Sequence, residues 1–306
     1  MKTRSEGGSQ CVCTIAVVSV LFFAVCLFAA QQSTQKPIPQ PNALEEARTC
    51  GQPSICDQHG VKLAQSGDLS AAIEQFRSAL RISPNYADAW YHLGLAYDQA
   101  RDTDQAMTGF QEALRLQPDY VEARYMLADC CRKRGDFDGE LNLLAQVVAR
   151  APQFAEAHYN YGLALKNREK LQLAVEELRA AVRLSPGNTK YMLALGVALA
   201  DVDTKEAVAV LRGAVQHGAD TADAHYNLGL ALAGQSDFEG ASQQFGLALQ
   251  LQSQDANAEA NLGAALAELG RFQEAKSHFE RALQIDPKQP IAKDNLDALQ
   301  KEMNSH

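Results

Sequence analysis

A spacing of 34 residues constrains this chain more than any other feature. A small residue recurs at Gly60, Gly94, Ala128, Gly162, Gly196, Gly229 and Gly263, each 34 residues after the last except for 33 between Gly196 and Gly229. Self-similarity at such a period excludes an ordinary globular core. Each unit buries its apolar face only against its neighbours, and the units stack into a solenoid. The usual expectation of about two domains for a chain of 306 residues gives way to a single array.

The clearest unit is Ala87–Tyr120. Trp90, Leu93, Gly94 and Tyr97 fall on one face of a first helix, and Ala106, Phe110, Ala113 and Leu114 on one face of a second. Arg101-Asp102-Thr103-Asp104 makes a polar turn between them, and Pro118 stops the second helix because it has no N–H to donate. Small residues let the helices approach while the aromatic and leucine side chains fill the space around them.

Trp90, Leu93, Gly94, Tyr97, Ala106, Phe110, Ala113 and Pro118 together resemble the tetratricopeptide repeat, matching its pattern at all eight marker positions. The resemblance implies an all-α, right-handed superhelix of antiparallel helix pairs. It covers residues 53–289 as seven repeats: 53–86, 87–120, 121–154, 155–188, 189–221, 222–255 and 256–289. The third departs most, with Arg124, Cys131, Glu140 and Val147 at four marker positions. In the fifth, the turn Asp201–Thr204 is one residue short, and His217-Gly218-Ala219 stands where others carry proline. Two readings stay open there: a tolerated loop deletion, or a local change of pitch that shapes a site. Residues 290–306 read as a C-terminal capping helix and tail, since Ile291, Leu296 and Leu299 begin a first helix that has no partner.

Residues 11–30 form an apolar run interrupted only by Thr14, Ser19 and cysteines. As a helix it would be about 30 Å long, enough to cross a bilayer core. It is longer than the apolar region of a cleavable signal, and Leu27 or Phe28 occupies the position before the cleavage site where a small residue belongs. A transmembrane signal anchor is therefore expected, with a cleaved signal peptide as the alternative. Lys2 and Arg4 precede the run and only Lys36 closely follows it. That bias places residues 1–10 in the cytoplasm and the repeats outside the cytoplasmic membrane, in the periplasm or extracellular space, or secreted if the signal is cleaved. Residues 31–52 form a linker whose Pro37, Pro39 and Pro41 favour an extended spacer. Cys50 and Cys56 bracket the start of the array and could form a disulfide in an oxidising compartment or remain two thiols. Cys130 and Cys131 read as small hydrophobes.

No nucleotide-binding, metalloprotease or hydrolase motif occurs. Asp136–Glu140 superficially suggests a calcium loop but coincides with a repeat turn and lacks the later ligands. His158 and His225 occupy equivalent packing positions and read as structural. Neither an enzyme nor a cofactor or metal is expected. The net charge of −9 disfavours nucleic acid, which needs a basic surface.

The resemblance also implies that the first helices line a concave groove, to which repeat positions two, five, six, nine, twelve and thirteen face. Tyr91, Tyr125, Tyr159 and Tyr226 fall at position five, and His92, Asn160, Asn227 and Asn261 at position six. Tyrosine offers apolar area with a polar tip, and asparagine can both donate to and accept from a peptide backbone. The arrangement is similar to the asparagine ladder of the O-linked N-acetylglucosamine transferase superhelix in that one feature. Asp88, Glu122, Glu156 and Asp223 stand at first-helix starts, where they also complement the helix dipoles. Arg132, Lys133, Arg134, Lys166, Arg168 and Lys170 cluster near first-helix ends and suggest a basic edge that orients a peptide. Carboxylate-clamp ligands of the heat-shock-chaperone type are disfavoured, because positions five and nine lack the Lys and Asn that clamp needs. The expected function is a membrane-tethered protein-interaction scaffold. The alternatives are a secreted or periplasmic carrier of peptide, glycan or lipid, or a non-catalytic subunit of an envelope enzyme complex.

Overall fold

The structure, a computed structural model, describes residues 50–304, with side chains to residue 299. The apolar run at 11–30 and the linker to residue 49 lie outside the described residues. Everything described belongs to one compact unit, which holds fifteen helices and no strand among the described residues.

The helices pair in sequence. The first hairpins are α1 (Pro53–Gln65) with α2 (Leu69–Ile82), α3 (Ala87–Gln99) with α4 (Thr103–Leu116), and α5 (Val121–Lys133) with α6 (Phe137–Arg150). Next come α7 (Ala155–Asn167) with α8 (Leu171–Leu184), and α9 (Thr189–Leu199) with α10 (Thr204–Gln216). The last are α11 (Ala222–Gly234) with α12 (Phe238–Leu251), and α13 (Ala256–Glu268) with α14 (Phe272–Ile285); α15 (Pro290–Asn304) closes the array. Each helix packs on its hairpin partner and on the adjacent hairpin only. This all-α, right-handed superhelix is the architecture that the period dictates.

The marker glycines sit where helices touch. A Cβ on Gly94 would stand 2.7 Å from the Phe110 ring, on Gly229 2.7 Å from Phe245, and on Gly263 2.7 Å from Phe279. Those three rings are fully buried, each worth about 1.5–3 kcal/mol by area removed from water. The third hairpin carries Ala128 instead of glycine, and there the smaller Leu144 occupies the ring's place.

Turns within the hairpins follow one rule. A left-handed residue comes first: Gly67, Arg101, Gly135, Glu169, Ser236 or Gly270. In four of these six turns an aspartate follows, and its carboxylate accepts from the backbone N–H three residues on, as Asp102 does from Gln105 and Asp136 from Gly139. Asp136 is thus a helix cap, one that satisfies an otherwise orphaned donor. Lys170 and Arg271 hold the cap position of α8 and α14 without a side-chain cap.

The fifth hairpin shows what its missing residue is. It has no left-handed residue between α9 and α10, α9 has 11 residues where the other first helices have 13, and Asp203 caps α10 directly. The deletion removes the left-handed turn residue itself.

In the third hairpin the substituted markers bury polar groups. Glu140 takes the helix-contact site that is Ala106, Ala174 or Ala241 elsewhere. Its nearest cation is Arg132 Nε at 3.9 Å, and burial pushes the carboxyl up to about 7. Arg124 replaces the position of Trp90. Its guanidinium donates to the Pro118 carbonyl, as the Trp90 indole does to Pro84, but Nη1 is buried without a hydrogen-bond partner.

At the C-terminal end, α15 packs on α13 and α14. Gln289 accepts from the Ala292 N–H and donates to Asn257, so its own side chain caps the helix and ties it to α13. At the N-terminal end Cys50 and Cys56 pair with Cα atoms 5.3 Å apart. Cys130 and Cys131 are buried thiols, and burial pushes the Cys130 thiol up to about 12, which makes it unreactive.

Candidate peptide-binding groove

Position five of a first helix lies opposite position six of the next, 35 residues on except for 34 from Leu193 to Asn227, and the pair bonds wherever chemistry allows. Asn160 donates to the Tyr125 hydroxyl, and Asn261 to the Tyr226 hydroxyl at 3.0 Å. In the first step of the array the pair is His92 and Asp57, 2.8 Å apart. Two of the three asparagines read from the sequence as a ladder therefore bond to tyrosines of the preceding repeat. Asn227 is the exception. The position-five residue before it is Leu193, which accepts nothing, and Asn227 turns to its own Asp223 carbonyl at 2.7 Å.

The tyrosines are also committed to packing. Tyr91, Tyr125 and Tyr159 are buried, and each ring meets an aromatic residue nearer the next hairpin: Tyr120, Phe154 and Tyr191, all at 4.9 Å between centroids. Burial is the largest cause raising the Tyr91 hydroxyl to about 12 and Tyr125 further still. Most of the surface of Tyr91, Tyr125 and Tyr159 is spent between repeats, Tyr159 also edges the depression between first helices, and Tyr226 is half-buried.

The basic edge is likewise mostly spent. Lys133 pairs with Asp98 of the preceding hairpin and with Asp129. Arg132 pairs with Asp129, Arg134 with Asp104, and Arg168 with Asp138. The Lys133–Asp98, Arg134–Asp104 and Arg168–Asp138 pairs join neighbouring hairpins, while the pairs to Asp129 stay within α5. Lys170 lies exposed at the start of α8. Lys166 is in no ion pair among the described residues, and it lines the groove.

A depression of about 450 Å³ opens at that point. Its wall comes from first helices alone, α7, α9 and α11, together with the linker at 218–221. Leu163, Leu193 and Val197 give it an apolar floor, Lys166 and Lys190 one polar margin, and Asn227 and Asp223 another. A second depression, of about 480 Å³, lies between α2, α3 and α4 around Arg77 and Trp90. Both its arginines are already bonded, Arg77 to Glu74 and the Tyr97 hydroxyl and Arg81 to the Ser78 hydroxyl.

Comparison with known proteins fits this geometry. Family models described as TPR repeat or tetratricopeptide repeat match residues 60–100, 99–159, 141–189, 191–256 and 256–289.

The chain is a tetratricopeptide-repeat protein.

Among solved structures it is similar to YrrB, described as a TPR protein with an unusual peptide-binding site, with TM-score 0.57 and 20% identity over 60% of this chain and 95% of that one. The C-terminal part of a TPR protein from Cytophaga hutchinsonii gives TM-score 0.64 at 14% identity, over 78% of this chain and 98% of that one. MamA from Desulfovibrio magneticus RS-1 gives 0.51 at 26% identity, over 55% of this chain and 95% of that one. A curated relative, the uncharacterized protein MJ0572 of Methanocaldococcus jannaschii, is 38% identical over 48 residues. That match spans 14% of this chain and 56% of the relative's length.

The repeats make this a protein-interaction scaffold in its fold. His158 and His225 keep the structural role read for them: His158 donates to the Pro152 carbonyl and faces Glu177 at 2.6 Å, while His225 lies between Gln244 and Asp220. Sequence reasoning missed Lys190, whose ammonium sits 4.5 Å over the Tyr159 ring. Its signal was present, since Lys190 holds position two, where Asp88, Glu122, Glu156 and Asp223 are acidic.

Proposed function

We propose that this chain is a seven-repeat, non-catalytic scaffold that holds an extended segment of a protein partner in its concave groove. We further propose that residues 11–30 tether it to the cytoplasmic membrane, with the repeats on the outer side. The observation that carries the groove reading is the depression lined solely by first helices and one linker, at positions one, two, five, six, nine and twelve of the repeats. A concave apolar floor with a few polar groups at its margin suits a peptide side chain and its backbone. The peptide-binding site described for YrrB supports the same use of this fold. The paired Cys50 and Cys56 support an oxidising compartment, as the orientation drawn from Lys2, Arg4 and Lys36 requires.

Site-specific photo-crosslinking in cells tests both parts. A photoreactive residue placed at Leu163 or Val197 in the groove should give one shared crosslinked partner. Placed at Glu176 or Arg212, both exposed on second helices, it should not. Crosslinks arising only from Glu176 and Arg212 would move the binding surface off the groove. Recovery of the chain in the soluble fraction would remove the tether.

A further inference from the structure

Along most of the groove, the groups able to recognise a ligand are already bonded to one another. Asn160 and Asn261 are bonded to tyrosines, His92 to Asp57, and Lys133, Arg132, Arg134 and Arg168 to carboxylates. The exceptions gather in one place, at the irregular fifth repeat. Leu193 and Ala194 stand there at positions five and six, so the Tyr–Asn step is broken on both sides. Asn227 has lost its inter-repeat partner and keeps one amide N–H and its carbonyl oxygen uncommitted. Ala194 is smaller than the asparagines at the same position in the neighbouring repeats, and the linker there runs through Gly218, at φ 100°, with Ala219 where the first four repeats carry proline.

We propose that the depression between α7, α9 and α11 is the specificity-determining subsite of the groove, and that it takes an apolar side chain of an extended peptide with an acidic residue beside it. This rests on the peptide-groove reading above and names the chemistry of its ligand. Leu163, Leu193 and Val197 supply apolar contact for the side chain. Neither Lys166 nor Lys190 forms an ion pair among the described residues. Glu156, which lies close enough to Lys190 for the two charges to interact, offsets one of these cations and leaves a net positive margin. Exposed Asp223 holds the other margin. The acidic residue of the peptide is thereby directed toward the lysines, which fixes the direction in which the segment lies. Asn227 is placed to donate to and accept from the peptide backbone. Leu193 and Ala194 are the structural source of the site, because they interrupt the tyrosine–asparagine bonding that joins first helices elsewhere.

The probe is a displayed library of random nonapeptides, selected on the full chain. The wild type should enrich peptides with Leu, Ile, Val or Phe adjacent to Asp or Glu. Lys166→Glu/Lys190→Glu should lose that enrichment and bind the best wild-type peptide at least tenfold more weakly, and Lys166→Gln/Lys190→Gln should weaken it less. Ala194→Trp, which fills the depression, should also weaken it at least tenfold. Lys205→Glu/Arg212→Glu on the second helix of the same repeat should leave affinity unchanged. Melting curves confirm that each variant is folded. Peptides that bind wild type and all three subsite variants equally would overturn the subsite while leaving the groove reading to stand or fall on its crosslinks. Selection of no peptide class by the wild type would overturn both.

Discussion

The side-chain amide of Asn261 donates to the phenol oxygen of Tyr226, 3.0 Å away and one repeat back. The same step joins Asn160 to Tyr125. These two asparagines hold repeats in register, whereas Asn227, with Leu193 behind it, does not. Asn160→Ala and Asn261→Ala should each lower stability by about 1 kcal/mol, the net value of an ordinary hydrogen bond. Asn227→Ala should stay within about 0.5 kcal/mol of wild type while weakening peptide binding. Urea denaturation of the three variants measures the contrast. Equal losses at all three would deny the distinction.

The turns predict a stabilised protein. Glu169 is left-handed at φ 59°, a conformation that is unfavourable by about 1–2 kcal/mol for a residue with a Cβ. Lys170 follows it without a side-chain cap. Glu169→Gly with Lys170→Asp would reproduce the Gly67-Asp68 and Gly135-Asp136 turns. The double variant should gain about 1–2 kcal/mol, read as a higher urea midpoint at unchanged slope.

Gly94 and Phe110 make the opposite prediction. A methyl group on Gly94 meets the Phe110 ring at 2.7 Å and the Ala106 carbonyl oxygen at 3.2 Å. Gly94→Ala should therefore destabilise by about 1–3 kcal/mol. Adding Phe110→Leu should recover part of that loss, following the Ala128 and Leu144 pair of the third hairpin. A double-mutant cycle with no recovery would show that the backbone approach, and not the ring, sets the penalty.

Glu140 gives the pH dependence. Burial holds its carboxyl at about 7 against an ordinary 4.5, so the folded chain keeps a proton that the unfolded chain releases. The stability this contributes is fully present below about pH 4.5 and is lost as pH rises through 7. Asp129, held low by Arg132 and Lys133, acts in the opposite sense at more acid pH. Glu140→Ala restores the residue type of the other repeats. The variant's stability relative to wild type should increase by on the order of 2 kcal/mol between pH 4.5 and 8. A constant difference across that range would refute the assignment.

Much of this fold was legible because the period repeats each packing decision. Gly94, Phe110 and Asp102 have counterparts along the chain, so helix pairs, turns and core followed directly. The site was harder to read. Position five was correctly placed along the repeat, but sequence position alone does not say whether a tyrosine faces solvent or the next hairpin. Tyr125 proved buried because Phe154 packs against it at a tilt and Asn160 binds its hydroxyl. The long-range partner of Lys133 was likewise hidden, since Lys133 meets Asp98 only when hairpins stack. The short fifth turn was visible in the sequence; that it lost the left-handed residue, and that Leu193 leaves Asn227 without an inter-repeat partner, show only in the folded chain.

Amide hydrogen exchange on the full chain, with and without the best selected peptide, tests the central claim most directly. Occupation of the groove should slow exchange in α7, α9 and α11 and in the linker at 218–221, and leave α8, α10 and α12 unchanged. Protection confined to those second helices, with the first helices unaffected, would contradict the account.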